Sequence, residues 1–221
     1  LYPHVLSRKA PFAVVSTGTW VVAMAVRGRP VTLDPARDTL VNVNALGQPV
    51  PSARFMGGRE YDLISGGWNR PISREAVESV ISRGIFAMPS WMAGGPFPEN
   101  TGSIVGGAVE GEEKAAVALL YVTLMTDLSL DLIRADNKLV IDGGLSKIDL
   151  YTSMLAQLRP NQQVIRSSMS EGSSTGAAAI AFGALGRNPF RDETLPVAGS
   201  KIAGLDAYRA QWREMAESAR A

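Results

Sequence analysis

The stretch Lys138-Leu139-Val140-Ile141-Asp142-Gly143-Gly144-Leu145-Ser146-Lys147 decides the fold. Lys138 to Ile141 reads as a buried strand, Asp142-Gly143-Gly144 ends it, and a helix over Ser146–Leu158 follows at once. A buried strand running straight into a helix is the repeating unit of α/β domains. Loops at the carboxyl ends of such strands are the usual place for a ligand in an open α/β sheet. Glycine lets the backbone approach a flat or charged ligand, and a helix N-terminus favours anions. The same residues also fit an ordinary strand-to-helix turn with Ser146 as N-cap, and the spacing leaves both readings open.

Outward from that stretch the chain alternates. Phe12–Ser16 and Trp20–Val26 are apolar runs separated by Thr17-Gly18-Thr19, too short for a helix, so they read as an antiparallel hairpin. Its turn, Ser16-Thr17-Gly18-Thr19, aims N–H groups and hydroxyls at one spot, which suits a phosphate, and equally fits a plain hairpin with glycine at positive φ. Leu40–Asn44 alternates like a strand with one buried face. Ser52–Ile64 and Ser73–Phe86 read as helices, the second opening on Ser73 with Glu75 and Glu78 in its first turns. Ala87–Thr101, with three prolines, two glycines and Trp91, predicts a long loop of the kind that often carries function. Ser103–Val109 predicts a strand. A helix led by Glu110, Glu112 and Glu113 follows, with Val117, Tyr121, Leu124, Leu128 and Leu132 on one stripe. Gln163–Ser167 predicts a strand, and Gly172–Leu185 a helix whose small residues, in Gly176–Gly186, allow close packing. Gly186–Gly204 predicts a surface segment, and Asp206 the cap of a last helix bearing Tyr208, Trp212 and Met215. The sum is an α/β fold: a mixed sheet with antiparallel first strands and flanking helices.

Composition closes several routes. The 221 residues carry 22 Lys and Arg against 21 Asp and Glu, a net charge of +1, no cysteine and one histidine. A chain this long buries about 70% of its unfolded surface and needs no disulfide or metal staple. Cysteine zinc sites, thiol nucleophiles, haem and iron–sulfur ligation are excluded, and a Ser-His-Asp triad would depend on His4, near an expected loose end. Near-neutral charge argues against a nucleic-acid surface. The uncharged run Ala115–Thr126 falls short of the ~20 residues that span a bilayer, so no membrane is expected, and the lack of cysteine suits a cytoplasmic protein. No Gly-Lys dipeptide forms a Walker A loop, and no G-x-G-x-x-G follows a predicted strand. The chain does not begin with Met, as expected of a processed chain or a piece of a longer one.

Several motifs occur in order: Val15-Ser16-Thr17-Gly18-Thr19-Trp20, then Pro89-Ser90-Trp91-Met92-Ala93-Gly94-Gly95-Pro96, Gly106-Gly107 with the long helix, Gly143-Gly144-Leu145-Ser146-Lys147, and Gly176-Ala177-Ala178. Together, from Phe12 to Leu185, they resemble the C-terminal half of the FGGY carbohydrate kinases, such as the rhamnulose, fuculose, xylulose and glycerol kinases. The resemblance implies an actin-like ATPase (ribonuclease H-like) domain, with residues 1–11 as the remnant of an inter-domain linker and 12–221 as the nucleotide-binding domain. It implies ATP and Mg²⁺ as cofactors and phosphorylation of a sugar or polyol hydroxyl. Gly18 and Thr19, beside Thr17, would contact phosphates. Gly143, Gly144, Leu145 and Ser146 would line adenine and ribose with Lys147 close by, although Ile148-Asp149 stands where relatives often place Asn or Ser a little later. Phe55-Met56-Gly57-Gly58 would approach the nucleotide. No metal ligand and no catalytic residue is implied in this chain. The first carboxylate is Asp34, and the family's catalytic Asp would fall just upstream of Leu1. The implied partners are an N-terminal domain of the same kinase, a small sugar or polyol and a second copy in a homodimer. Another actin-like ATPase, or a non-catalytic kinase-like interaction module, is the alternative.

Overall fold

The computed structural model describes residues 1–8, 10–167, 172–184, 194–197 and 200–219. The first strands are β1 (Phe12–Thr17) and β2 (Val21–Val26), followed by β3 (Thr39–Val43) and β4 (Pro49–Phe55), after a short helix α1 (Tyr2–Ser7). Then come α2 (Gly57–Ser65), α3 (Arg74–Ser82), β5 (Phe86–Met88), β6 (Ser103–Val105), α4 (Gly111–Leu132), β7 (Lys138–Gly143) and α5 (Asp149–Leu158). The rest is β8 (Val164–Ser167), α6 (Gly172–Ala184), β9 (Thr194–Pro196) and α7 (Leu205–Ser218). Seven strands form one sheet in the order β3-β4-β2-β1-β7-β8-β9, and β5 pairs with β6 separately. The pairs β1/β7 and β7/β8 are parallel and the others antiparallel, so the sheet is mixed with an antiparallel start, as the sequence predicts.

Both faces of the central strands are covered, which explains their unbroken apolar runs. Ala13 and Val15 of β1, with Leu139 and Ile141 of β7, face the main core under α4. Phe12, Val14 and Val140 face a second cluster with Val5 of α1. The predicted stripe on α4 understates its burial, because every residue from Ala115 to Leu130 is inside. Length and composition alone would let Gly111–Leu132 cross a membrane, more than the sequence reading allowed, but it is the core helix of the domain with 89% of its apolar window buried.

The structure corrects several elements. Ser52–Ile64 is not one helix: Pro49–Phe55 is a strand paired with β2, and the helix starts only at Gly57. Pro49 and Pro51 precede the stretch that pairs with β2, which begins at Ser52, and the strand gives way to the helix at Gly57-Gly58. The third strand has no buried face beyond Thr39, since it lies at the sheet edge. Ser73 does cap α3, accepting from Ala76 N–H at 3.2 Å, but Gly84 (φ +63°) ends that segment and Phe86–Met88 is a strand. Gly106 (φ +92°) likewise stops β6 at Val105. Leu145–Lys147 forms a 3-10 turn, so Ile148 and not Ser146 occupies the N-cap of α5. Gly204, not Asp206, is the N-cap of α7. In the small-residue helix Gly176 and Ala179 are buried, while Ile180 and Phe182 keep much of their surface exposed; Leu185 and Gly186 lie outside the described residues. Most of Gly186–Gly204 is also outside them, though Thr194–Pro196 pairs with β8 as an edge strand. The expected loose end is instead a helix with His4 fully buried.

Candidate functional site

The parallel register of β1 and β7 places Thr17 opposite Gly143, so both glycine turns leave the sheet side by side. One side chain joins them. The buried Thr17 hydroxyl donates to the Asp142 carbonyl at 2.7 Å and accepts from Leu145 N–H at 3.0 Å. Gly144 N–H donates to the Thr17 carbonyl at 2.7 Å. Gly143 has φ +93°, and a Cβ there would lie 2.1 Å from the Thr17 carbonyl oxygen, so only glycine fits. Gly144 has helical angles, and its Cβ would meet nothing closer than 3.8 Å.

A third element closes on the turns. A Cβ at Gly58 would stand 2.2 Å from the Gly18 carbonyl oxygen; without one, the start of α2 lies against the hairpin and Gly58 N–H donates to the Thr19 carbonyl at 3.2 Å. The result is a cleft of about 370 Å³ lined by Thr17, Gly18 and Thr19, by Gly58, Arg59, Tyr61 and Asp62, and by Gly144 and Leu145. The structure thus gathers Thr17, Gly18, Thr19, Gly144 and Leu145. Gly143 and Ser146 stand behind the lining, the Ser146 hydroxyl donating to the Gly143 carbonyl at 2.6 Å. Lys147 is exposed outside the cleft. Arg59, Tyr61 and Asp62 were not singled out in the sequence. Their one signal is Met56-Gly57-Gly58, the pair of glycines that permits the close approach.

The ionisable groups divide by burial. Arg59 and Asp62 are exposed at the cleft, whereas Glu60 between them is buried. Burial raises the Glu60 carboxyl above the usual carboxylate range, against the opposing pull of donors from Tyr121, Met92 and Trp91. Burial, with Asp62 nearby, raises Tyr61. Behind the Gly143 turn, Asp142 accepts Gly143 N–H at 2.8 Å and lies 3.9 Å from His4 Nε2. The Arg8 guanidinium, always a donor, is 3.2 Å from His4 Nδ1, so that nitrogen accepts and the ring proton belongs on Nε2, toward Asp142. Burial lowers the His4 pKa despite Asp142. His4 is therefore a neutral core group and not a cleft residue.

Residues 9–189 match the family model described as carbohydrate kinase FGGY, C-terminal domain. The chain belongs to the FGGY carbohydrate kinase family. Among solved structures, a carbohydrate kinase from Novosphingobium aromaticivorans is 33% identical with a TM-score of 0.81, over 96% of this chain and 47% of that one. A xylulose kinase from Bifidobacterium adolescentis (18% identity, TM-score 0.68, 96% and 46%) and a ligand-bound xylulose kinase from Lactobacillus acidophilus (14%, 0.68, 94% and 47%) share the fold. The FGGY chain thus spans about half the length of these solved structures. No curated protein matches it. The mixed sheet with flanking helices is that of FGGY C-terminal domains, an actin-like ATPase fold.

Proposed function

We propose that this FGGY domain is the nucleotide-binding half of an ATP-dependent carbohydrate kinase, which transfers the γ-phosphate to a sugar or polyol hydroxyl. The observation that carries the reading is the convergence of two glycine turns and the start of α2 on one open cleft. Phosphoryl transfer relies on positioning and charge neutralisation more than on covalent help from the protein. The cleft supplies suitable parts. Thr19 and the Gly18 turn offer close backbone approach to phosphates, and Arg59 offers a cation at the same wall. Gly144 and Leu145 take the ribose and adenine side, where the missing Cβ leaves room for a flat ring.

The fit to Mg²⁺ is narrower. Among the described residues no group of three or more His, Cys, Asp or Glu could hold a metal. Magnesium is commonly held by one or two carboxylates together with substrate phosphates. Asp62, which lines the cleft, would supply one carboxylate, and the nucleotide would bring the other ligands. Bound Mg²⁺ would neutralise phosphate charge. The sugar pocket and the carboxylate that takes the hydroxyl proton are assigned to a partner domain, in line with a chain half the length of its solved relatives. The test is a coupled ATPase assay on this chain across ketoses and polyols, run beside equilibrium nucleotide binding. Binding without sugar-dependent turnover is expected; sugar-dependent ATP consumption by the chain alone would contradict the division of labour.

A further inference from the structure

Two carboxylates flank the cleft without facing it, and both accept from the main chain of one loop. Glu60, on α2 between Arg59 and Tyr61, is 2% exposed. Its Oε1 accepts the N–H groups of Trp91 and Met92, each at 3.1 Å, and its Oε2 accepts the Tyr121 hydroxyl of α4 at 3.0 Å. Asp38 Oδ2 accepts Gly95 N–H at 3.0 Å, and its Oδ1 accepts Arg54 Nε at 2.9 Å. The Arg54 guanidinium lies over the Trp20 ring, 5.1 Å from its centroid, and Trp20 directly follows the Gly18-Thr19 turn. Each wall of the cleft is therefore tied to residues 91–95.

The loop itself is braced from behind. Gly102 N–H donates to the Ser90 carbonyl at 2.7 Å, and the Ser90 hydroxyl donates to the Phe97 carbonyl at 2.8 Å. Asn100 Nδ2 reaches the Ala216 carbonyl of α7 at 3.3 Å, and Trp212 Nε1 donates to the Ala87 carbonyl at 2.9 Å. A buried carboxylate costs free energy unless donors satisfy it, and the donors that satisfy Glu60 come from the loop and from α4, so its burial depends on holding both in place.

We propose that the loop of residues 89–102 is a strap that fixes the spacing of the two cleft walls, with Glu60 and Asp38 as its anchor points. Both act as positioning residues, because neither lines the cleft. Glu60 holds the first two turns of α2, which present Gly58, Arg59 and Asp62. Asp38, through Arg54 and Trp20, holds the hairpin turn opposite. The consequence for ligand rests on the nucleotide reading above; the mechanical claim does not.

The experiment compares hydrogen exchange and ADP affinity in the wild-type chain, Glu60→Ala, Glu60→Gln, Asp38→Ala and the control Leu158→Ala, a core truncation at the far end of α5. Glu60→Ala is expected to speed exchange over 57–62 by on the order of tenfold relative to the control, and Asp38→Ala to do the same over 17–20. Where the wild type binds ADP, each should weaken it by on the order of tenfold, while the control leaves affinity unchanged. Glu60→Gln should restore both readouts to within about threefold of wild type. Its carbonyl can accept from Trp91 and Met92 while its amide donates to the Tyr121 oxygen. Local exchange in Glu60→Ala and Asp38→Ala no faster than in Leu158→Ala, or Glu60→Gln as loose as Glu60→Ala, overturns the strap. Should Glu60→Ala not fold, Asp38→Ala and Glu60→Gln decide by the same readouts. A wild-type chain that binds no ADP removes the nucleotide reading, and the exchange comparison still decides the strap.

Discussion

The cleft rim and the junction between α4 and α7 handle charge in opposite ways. At the junction Asp127 is fully buried and accepts from Arg159 at 2.8 Å, Arg209 at 2.7 Å and Arg213, while Asp131 accepts from Arg159 at 3.0 Å and Arg213 at 2.7 Å. Burial alone would raise the Asp131 carboxyl, but Arg159 and Arg213 outweigh it and hold it below the usual range. These charges are satisfied within the fold, and they fasten α7 to the core helix beside the buried Trp212. At the rim, Arg59 and Asp62 remain exposed, and the glycine turns leave an open surface. The contrast separates residues that hold the domain together from residues available to a ligand.

The largest expected effect breaks the junction. Asp127→Ala removes the fully buried carboxylate that three guanidinium groups share, leaving them only the partly exposed Asp131, and should cost about 3–5 kcal/mol in denaturant melts, with ADP affinity of the remaining folded protein unchanged. Altered affinity there would blur the division. Next is Gly143→Ala, which forces a Cβ toward the Thr17 carbonyl at positive φ and should cost about 3 kcal/mol. A stable Gly143→Ala protein would show that the turn does not need glycine. Arg59→Ala should leave the unfolding free energy within about 0.5 kcal/mol of wild type and weaken ADP several-fold, less so at high salt. Unchanged affinity would place Arg59 outside the phosphate site.

The smallest effect is pH-dependent. His4 has a lowered pKa in the fold, so the unfolded chain binds more protons below its ordinary value of about 6.5. The stability His4 contributes is present above that pH and lost as pH falls through the lowered folded value. Melts of His4→Gln and wild type should therefore differ in slope below pH ~6.5 and run parallel above it.

The central elements were legible in the sequence because burial on both faces turns β1 and β7 into apolar runs, and because α4 carries no charge from Ala115 to Thr126. Their junctions carried glycine, so both turns of the cleft could be named in advance. What escaped was tertiary. Pro49–Phe55 alternates weakly and ends at glycines, which made strand and helix merge into one expected helix. Arg59, Tyr61 and Asp62 reach the cleft only because Gly57 and Gly58 let α2 lie against the hairpin, a contact between segments about 40 residues apart that no local period encodes. The place of His4 is hidden for a related reason: a six-residue helix beginning Tyr-Pro has little periodicity of its own, and it is packed against sheet residues far along the chain, with His4 beside Asp142 and Val5 in the cluster of Phe12, Val14 and Val140.

The most direct test of the nucleotide cleft is calorimetric titration of Mg·ADP into the wild-type chain and Gly144→Val. Position 144 has helical angles and open space, so valine should fold with a near-native melting midpoint while its branched side chain fills the cleft wall. Saturable heat from the wild type at nucleotide concentrations up to about 1 mM, and none from Gly144→Val at matched stability, is the expected result. Equal binding by both proteins, or no binding by the wild type, would contradict the assignment.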